Sequence, residues 1–171
     1  GGVNQAIIEL AKMGSISSTT VMVNMPHAME AIALLDIPTM GIGLHVNLTE
    51  GKPISQPESV PSLVGTNGEF HGQKRFRQLE RNGRIPQAEI VREIHAQAAV
   101  LRELVGERFQ HLDSHQNIHK ARSVSQGFLM FGRVSPGLSL RAPARYIMCK
   151  VSEKTPNDAR TLGSTRRIIP S

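Results

Sequence analysis

Apolar residues recur along this chain in two rhythms, one helical and one alternating, and the two take turns. In VNQAIIELAKM, residues 3–13, Val3, Ile7, Leu10 and Ala11 fall on one helical stripe, and Gly14 suits the stop. SISSTTVMVN, 15–24, is rich in β-branched residues and ends at Asn-Met-Pro, so it predicts a strand. A short helix is expected over 27–35, closed by Asp36 and Pro38, followed by a strand in GIGLHVNL, 41–48. From Thr49 to about Gly72 the pattern lapses into a proline- and glycine-rich loop, a length that marks a functional or mobile segment. PQAEIVREIHAQAAVLRELVG, 86–106, is the strongest helix, with Ile90, Ile94, Ala98, Leu101 and Val105 as its stripe. FQHLD then reads as a strand, a weaker helix covers roughly 121–132, and LSLR, 138–141, reads as another strand. From Tyr146 onward the periodicity fades.

Strands that alternate with helices, with no hairpin signal between them, predict an α/β fold with a parallel sheet, open or closed into a barrel. A chain of 171 residues is expected to form one domain, here 1–145, with 146–171 left as an unassigned basic segment. The formal charge of +6 is unevenly spread. Residues 1–119 hold 10 Lys/Arg and 12 Asp/Glu (10 − 12 = −2), whereas 120–171 hold 10 and 2 (10 − 2 = +8). These late cations are scattered, without interleaved aromatics or a groove-reading motif, so a solvated end is expected and nucleic acid is not. No apolar run reaches the roughly 18 residues of a membrane span, and no export leader is seen. With Cys149 as the one cysteine, a reducing cytoplasm is the expected location.

Strand alternation places candidate chemistry at two strand ends. In GIGLHVNL, Gly43, His45 and Asn47 share a side. In QHLDSHQNIHK, 110–120, His111, Asp113 and His115 share one if the extended form continues to 115, and His119 follows. Carboxyl-terminal strand ends carry the ligand site in parallel α/β folds. Imidazoles from two strands could converge there on a catalytic cation, with Asp113 bracing a ligand by a hydrogen bond. Spacing alone leaves a metal and a structural role equally open for His45 and His115. His27, His71 and His95 read as a helix cap, a loop residue and a helix residue.

The segments GVNQAIIELAKMGSISSTTVMVN, GIGLHVNLTEGKPI, VPSLVGTNGEF and HLDSHQNIH resemble, in order, the YdjC family of carbohydrate deacetylases, which includes chitooligosaccharide deacetylase, and GLSLRAPAR is a weaker echo. The resemblance implies a (β/α) barrel-like fold, incomplete in this chain and mostly parallel. It also implies hydrolysis of the N-acetyl group of an acetylated amino sugar with one divalent metal ion, magnesium or zinc. His45 and His115 would be metal ligands, with His111, Asp113, His119 and Asn47 lining or bracing the site. The family's Asp-Asp strand, source of a third ligand and the general base, is expected upstream of Gly2, so no catalytic residue is assigned and the chain as given is expected to be a poor catalyst. Relatives often carry further histidines where Gln116 and Asn117 stand, and the tail after Arg145 is read as unlike the family. Family analogy also allows a homodimer. The rival expectations are a degenerate sugar-binding relative, a phosphoesterase on the same scaffold, and nucleic-acid binding through the basic end.

Overall fold

The computed structural model describes residues 2–141 and 149–150. Helix α1 (Gly2–Lys12) leads into strand β1 (Ser18–Val21), a 3-10 helix (Ala28–Asp36) and β2 (Gly41–Val46). After a long loop come α2 (Gln73–Arg81), α3 (Gln87–Val105), β3 (Phe109–Ser114), α4 (Arg122–Arg133), β4 (Ser139–Leu140) and β5 (Cys149–Lys150). The sheet runs β1-β2-β3-β4-β5, parallel through β4, with β5 antiparallel to it. The expected α/β fold with mostly parallel strands is therefore present, as an open sheet rather than a closed barrel among the described residues. Strand β5 falls in the segment the periodicity left unassigned, and the rest of 146–171 lies outside the described residues.

Alternation decides which face of each central strand is dry. Ile42, Leu44 and Val46 have no exposed surface, and Leu112 has 1%. They meet the predicted stripe of α3, whose Ile90, Ile94, Ala98 and Leu101 are also fully buried. Helix α4 packs on α3 at Gly127, where a Cβ would stand 3.0 Å from Ile90 and Ile94, so the glycine sets how near the helices come. No helix among the described residues is long and apolar enough to cross a membrane.

Three sequence expectations change. The α1 stripe is only partly buried: Ala11 is at 4%, but Val3 and Leu10 are 75% and 42% exposed. Among the described residues β1 pairs with β2 alone, so little sheet lies beside the helix. Residues 28–36 coil as a 3-10 helix, and the carbonyls of Leu35 in its last turn and of Ile37 and Met40 just beyond accept from the Arg108 guanidinium. The 49–72 loop is packed down, with Val60 and Leu63 fully buried. Two α3 carboxylates hold it: Glu93 accepts from Ile54 N and Ser55 N, both at 2.9 Å, and Glu89 accepts from Ser62 N and Oγ.

Candidate active site at the carboxyl end of the sheet

One row of side chains crosses the sheet at its carboxyl end. His45 on β2 is in register with Asp113 on β3, and Arg141 follows β4 where its N–H donates to Leu112 O at 2.9 Å. The Nδ1–H of His45 donates to Asp113 Oδ1 at 2.5 Å, with Thr20 Oγ1 of β1 at 3.2 Å from the same nitrogen. On the other side of Asp113, Arg141 Nη1 lies 3.7 Å from Oδ2. Burial pushes the Asp113 carboxyl up, but the His45 hydrogen bond and charge, with Arg141 and Thr20 behind them, hold it below its ordinary value. That carboxylate holds the ring by Nδ1, so that in the neutral imidazole the lone pair is on Nε2.

His111 lies one step below this row. The β2–β3 register shifts after Ile42, so His111 rather than Gln110 crosses Gly43. A Cβ on residue 43 would collide with the His111 ring and crowd the His111 carbonyl, which is why this position must be glycine. Burial lowers the His111 pKa, offset in part by Asp113 and reinforced by Arg141, so the ring stays neutral at the floor of the site.

His115 is not the strand residue that alternation suggested. Strand β3 stops at Ser114, and His115–Lys120 forms a kinked 3-10 turn in which Gln116 and Asn117 take φ of 51° and 54°. Despite that bend the two imidazoles meet, with ring centroids 5.5 Å apart at 69°. Nε2 of His115 is buried and has no aligned hydrogen bond, although Glu50 Oε1 is 3.1 Å away. Gln116 Nε2 donates to that same oxygen at 2.6 Å, and Gln116 O accepts from Gln73 and Arg77 of α2.

Of the residues expected to line or brace the site, two are braces. Asn47 has no exposed surface; its Oδ1 accepts from Thr49 N and Glu50 N, and its Nδ2 donates to Asn24 Oδ1 and Glu50 O. The strand has ended at Val46, so its side chain turns into the loop rather than the site. His119 is 3% exposed, and Ser114 Oγ meets both its N–H and its Nδ1, closing the turn. Its pKa is lowered by burial first and then by the charge of Arg141. His27 precedes the 3-10 helix without capping it and instead meets Glu30, and His95 packs edge-on against Phe131. Thr20, Glu50, Gln116 and Arg141 were missed. For Arg141 the signal was present, since it ends a strand as His45 nearly does. Beside His45, a cleft of about 410 Å³ opens along β1, lined by Ile7, Ile8, Val21, Met22 and Leu34.

The profile of the family described as YdjC-like protein matches residues 1–169. The chain belongs to that family. The match runs through the tail that the sequence reading set apart as unlike it, so family resemblance extends past residue 145. A carbohydrate deacetylase from Danio rerio is 36% identical over 73% of this chain and 40% of its own length. The chitooligosaccharide deacetylase of Serratia marcescens is 40% identical over 69% of this chain and 45% of its own. The crystal structure of an Enterococcus faecalis V583 protein superposes with a TM-score of 0.73 at 35% identity, over 85% of this chain and 55% of that one. This YdjC-like chain thus spans about half the length of the curated relatives it matches.

Proposed function

We propose that His45 and His115 hold one divalent cation, zinc or magnesium, in a hydrolase that removes the N-acetyl group from amino sugars such as chitooligosaccharides. The observation that carries this reading is the 5.5 Å between the two ring centroids. A metal–nitrogen bond of about 2.0–2.1 Å brings ring centres of two ligands at near-tetrahedral angles to about 5–6 Å of one another. The buried Nε2 of His115, which makes no aligned hydrogen bond and has Glu50 Oε1 3.1 Å away, supports it as well. The pair fits as two of a cation's ligands, not as a finished cage, since among the described residues no three His, Cys, Asp or Glu side chains gather. Bound there, the cation would lower the pKa of a water and polarise the acetamide carbonyl.

The chain's own residues prepare that chemistry. Asp113 and Thr20 orient the His45 ring, and the His45 hydrogen bond, with Arg141 behind it, holds the Asp113 carboxyl below its ordinary value. Glu50, 45% exposed, brings Oε1 to 3.1 Å from His115 Nε2 at the solvent edge. Neutral His111 closes the floor without adding a charge that would repel a cation. The named activity of the relatives supports the amino-sugar substrate, and a cytoplasmic homodimer belongs to the same proposal.

The test is calorimetric titration of the chelator-treated chain with zinc and with magnesium. One site is expected, lost in His45→Ala and His115→Ala, and weakened about 10–100-fold in Asp113→Asn. Unaltered affinity in the double histidine variant sinks the proposal. Acetate release from N-acetylglucosamine oligomers then separates a hydrolase from a sugar-binding relative, which would bind the oligomer and release nothing.

A further inference from the structure

Helix α2 carries a charge pattern that the imidazole site does not use. Residues 73–84 hold Lys74, Arg75, Arg77, Arg81 and Arg84 against Glu80 alone. Phe76 and Leu79 turn one face of the helix to the core, which leaves all five cations exposed. Glu80 is engaged elsewhere, accepting from Ser123 N and Oγ. Among the described residues none of the five cations forms an ion pair. Exposed Lys120 and Arg122, just before that same Ser123, extend the patch onto the turn after His115.

The patch borders the imidazole pair through a short chain of contacts. Arg77 Nη2 donates to Gln116 O at 3.1 Å, Gln116 Nε2 donates to Glu50 Oε1, and that oxygen is 3.1 Å from His115 Nε2. Lys74 to Arg81 spans seven residues, about 10 Å of helix. That is close to the screening length of about 10 Å at 0.1 M salt, so the fields of these charges add. The cations are strung along the helix rather than converging on a point. A lone phosphate calls for donors that converge, whereas a row suits charge spread along a ligand. Stacking of nucleic-acid bases would need exposed aromatics, and the one aromatic of α2, Phe76, is 1% exposed.

We propose that α2 is the substrate rim, and that it selects an N-acetylated oligosaccharide bearing carboxylates along its length over a neutral one. This rests on the deacetylase reading of the adjacent site.

The experiment compares binding by the full chain of two matched probes, a neutral N-acetylglucosamine oligomer and an oligomer alternating N-acetylglucosamine with a uronate. A single-stranded oligonucleotide of equal charge is the third arm. The expected result is tighter binding of the acidic sugar, declining with salt, and roughly tenfold weaker in Lys74→Glu/Arg75→Glu/Arg81→Glu, the sum of three exposed ion contacts. Retained binding of the neutral oligomer by that variant shows that it is folded. Equal affinity for the two sugars, or no response to the triple reversal, overturns the rim and leaves the deacetylase reading standing. An oligonucleotide that competes as well as the acidic sugar overturns the glycan assignment. Binding of neither sugar overturns both readings.

Discussion

On the β2–β3 side of the molecule Ile42, Leu44, Ile90 and Ile94 have no exposed surface, while on the α1–β1 flank Val3, Met13 and Met29 are 75%, 75% and 61% exposed. Both regions are rich in aliphatic residues; they differ in how their polar groups are used. In the centre, Glu93 accepts from Gln97 Nε2 at 2.8 Å, and Gln97 grips both the N–H and the carbonyl of Asn47. Asn47 in turn holds the main chain of Glu50. A relay of hydrogen bonds thus runs from α3 to the main chain of Glu50, whose carboxylate stands beside His115. On the flank, among the described residues, Asn4 donates to a half-buried Glu30 carboxylate and to the His27 carbonyl instead. Buried polar networks are specific when complete and costly when broken, so the centre defines geometry and the flank fills space.

That contrast can be broken by substitution. Glu93→Ala should have the largest effect, because it strands two half-buried backbone N–H donors and the buried Gln97 amide; a loss of about 3 kcal/mol or more in urea unfolding is expected. A loss below about 1 kcal/mol would mean that the relay is dispensable. Gly43→Ala should cost about 1–3 kcal/mol as the new methyl drives the His111 ring aside, and the His111 imidazole resonances should move in NMR spectra. Wild-type resonances in that variant would place the ring elsewhere. Met13→Ser, on the flank, should shift unfolding by less than about 0.5 kcal/mol. A larger loss would show the flank to be packed more firmly than its exposure indicates.

Much of the architecture was legible because long periodic stretches dominate it. The α3 stripe, the apolar run of β2 and the strand before Asp113 came through with boundaries off by a residue or two. Helix α2 was missed because its apolar content is Phe76 and Leu79 alone, and cations hide that spacing. The two groups of charge, early and late, also concealed that five of the ten early cations fall between 74 and 84. Histidines could be nominated from strand alternation, but alternation stops where a strand stops. Asn47 and His115 both lie past that limit, and neither points where an extended chain would send it. Arg141 and Glu50 became visible only when register and loop closure brought them beside residues distant in sequence.

Gln116 and Asn117 wind the backbone against the hand that L-residues prefer, at about 1–2 kcal/mol each. The chain tolerates this because a glutamine and an arginine of α2 pin the intervening carbonyl and Ser114 ties the far end to His119. The ring of His115 is therefore aimed by a coil of mirror sense under tension, and its bearing depends on fasteners several residues away. Loosening either fastener would let the coil relax and swing the imidazole off its mark while every nitrogen remained chemically intact.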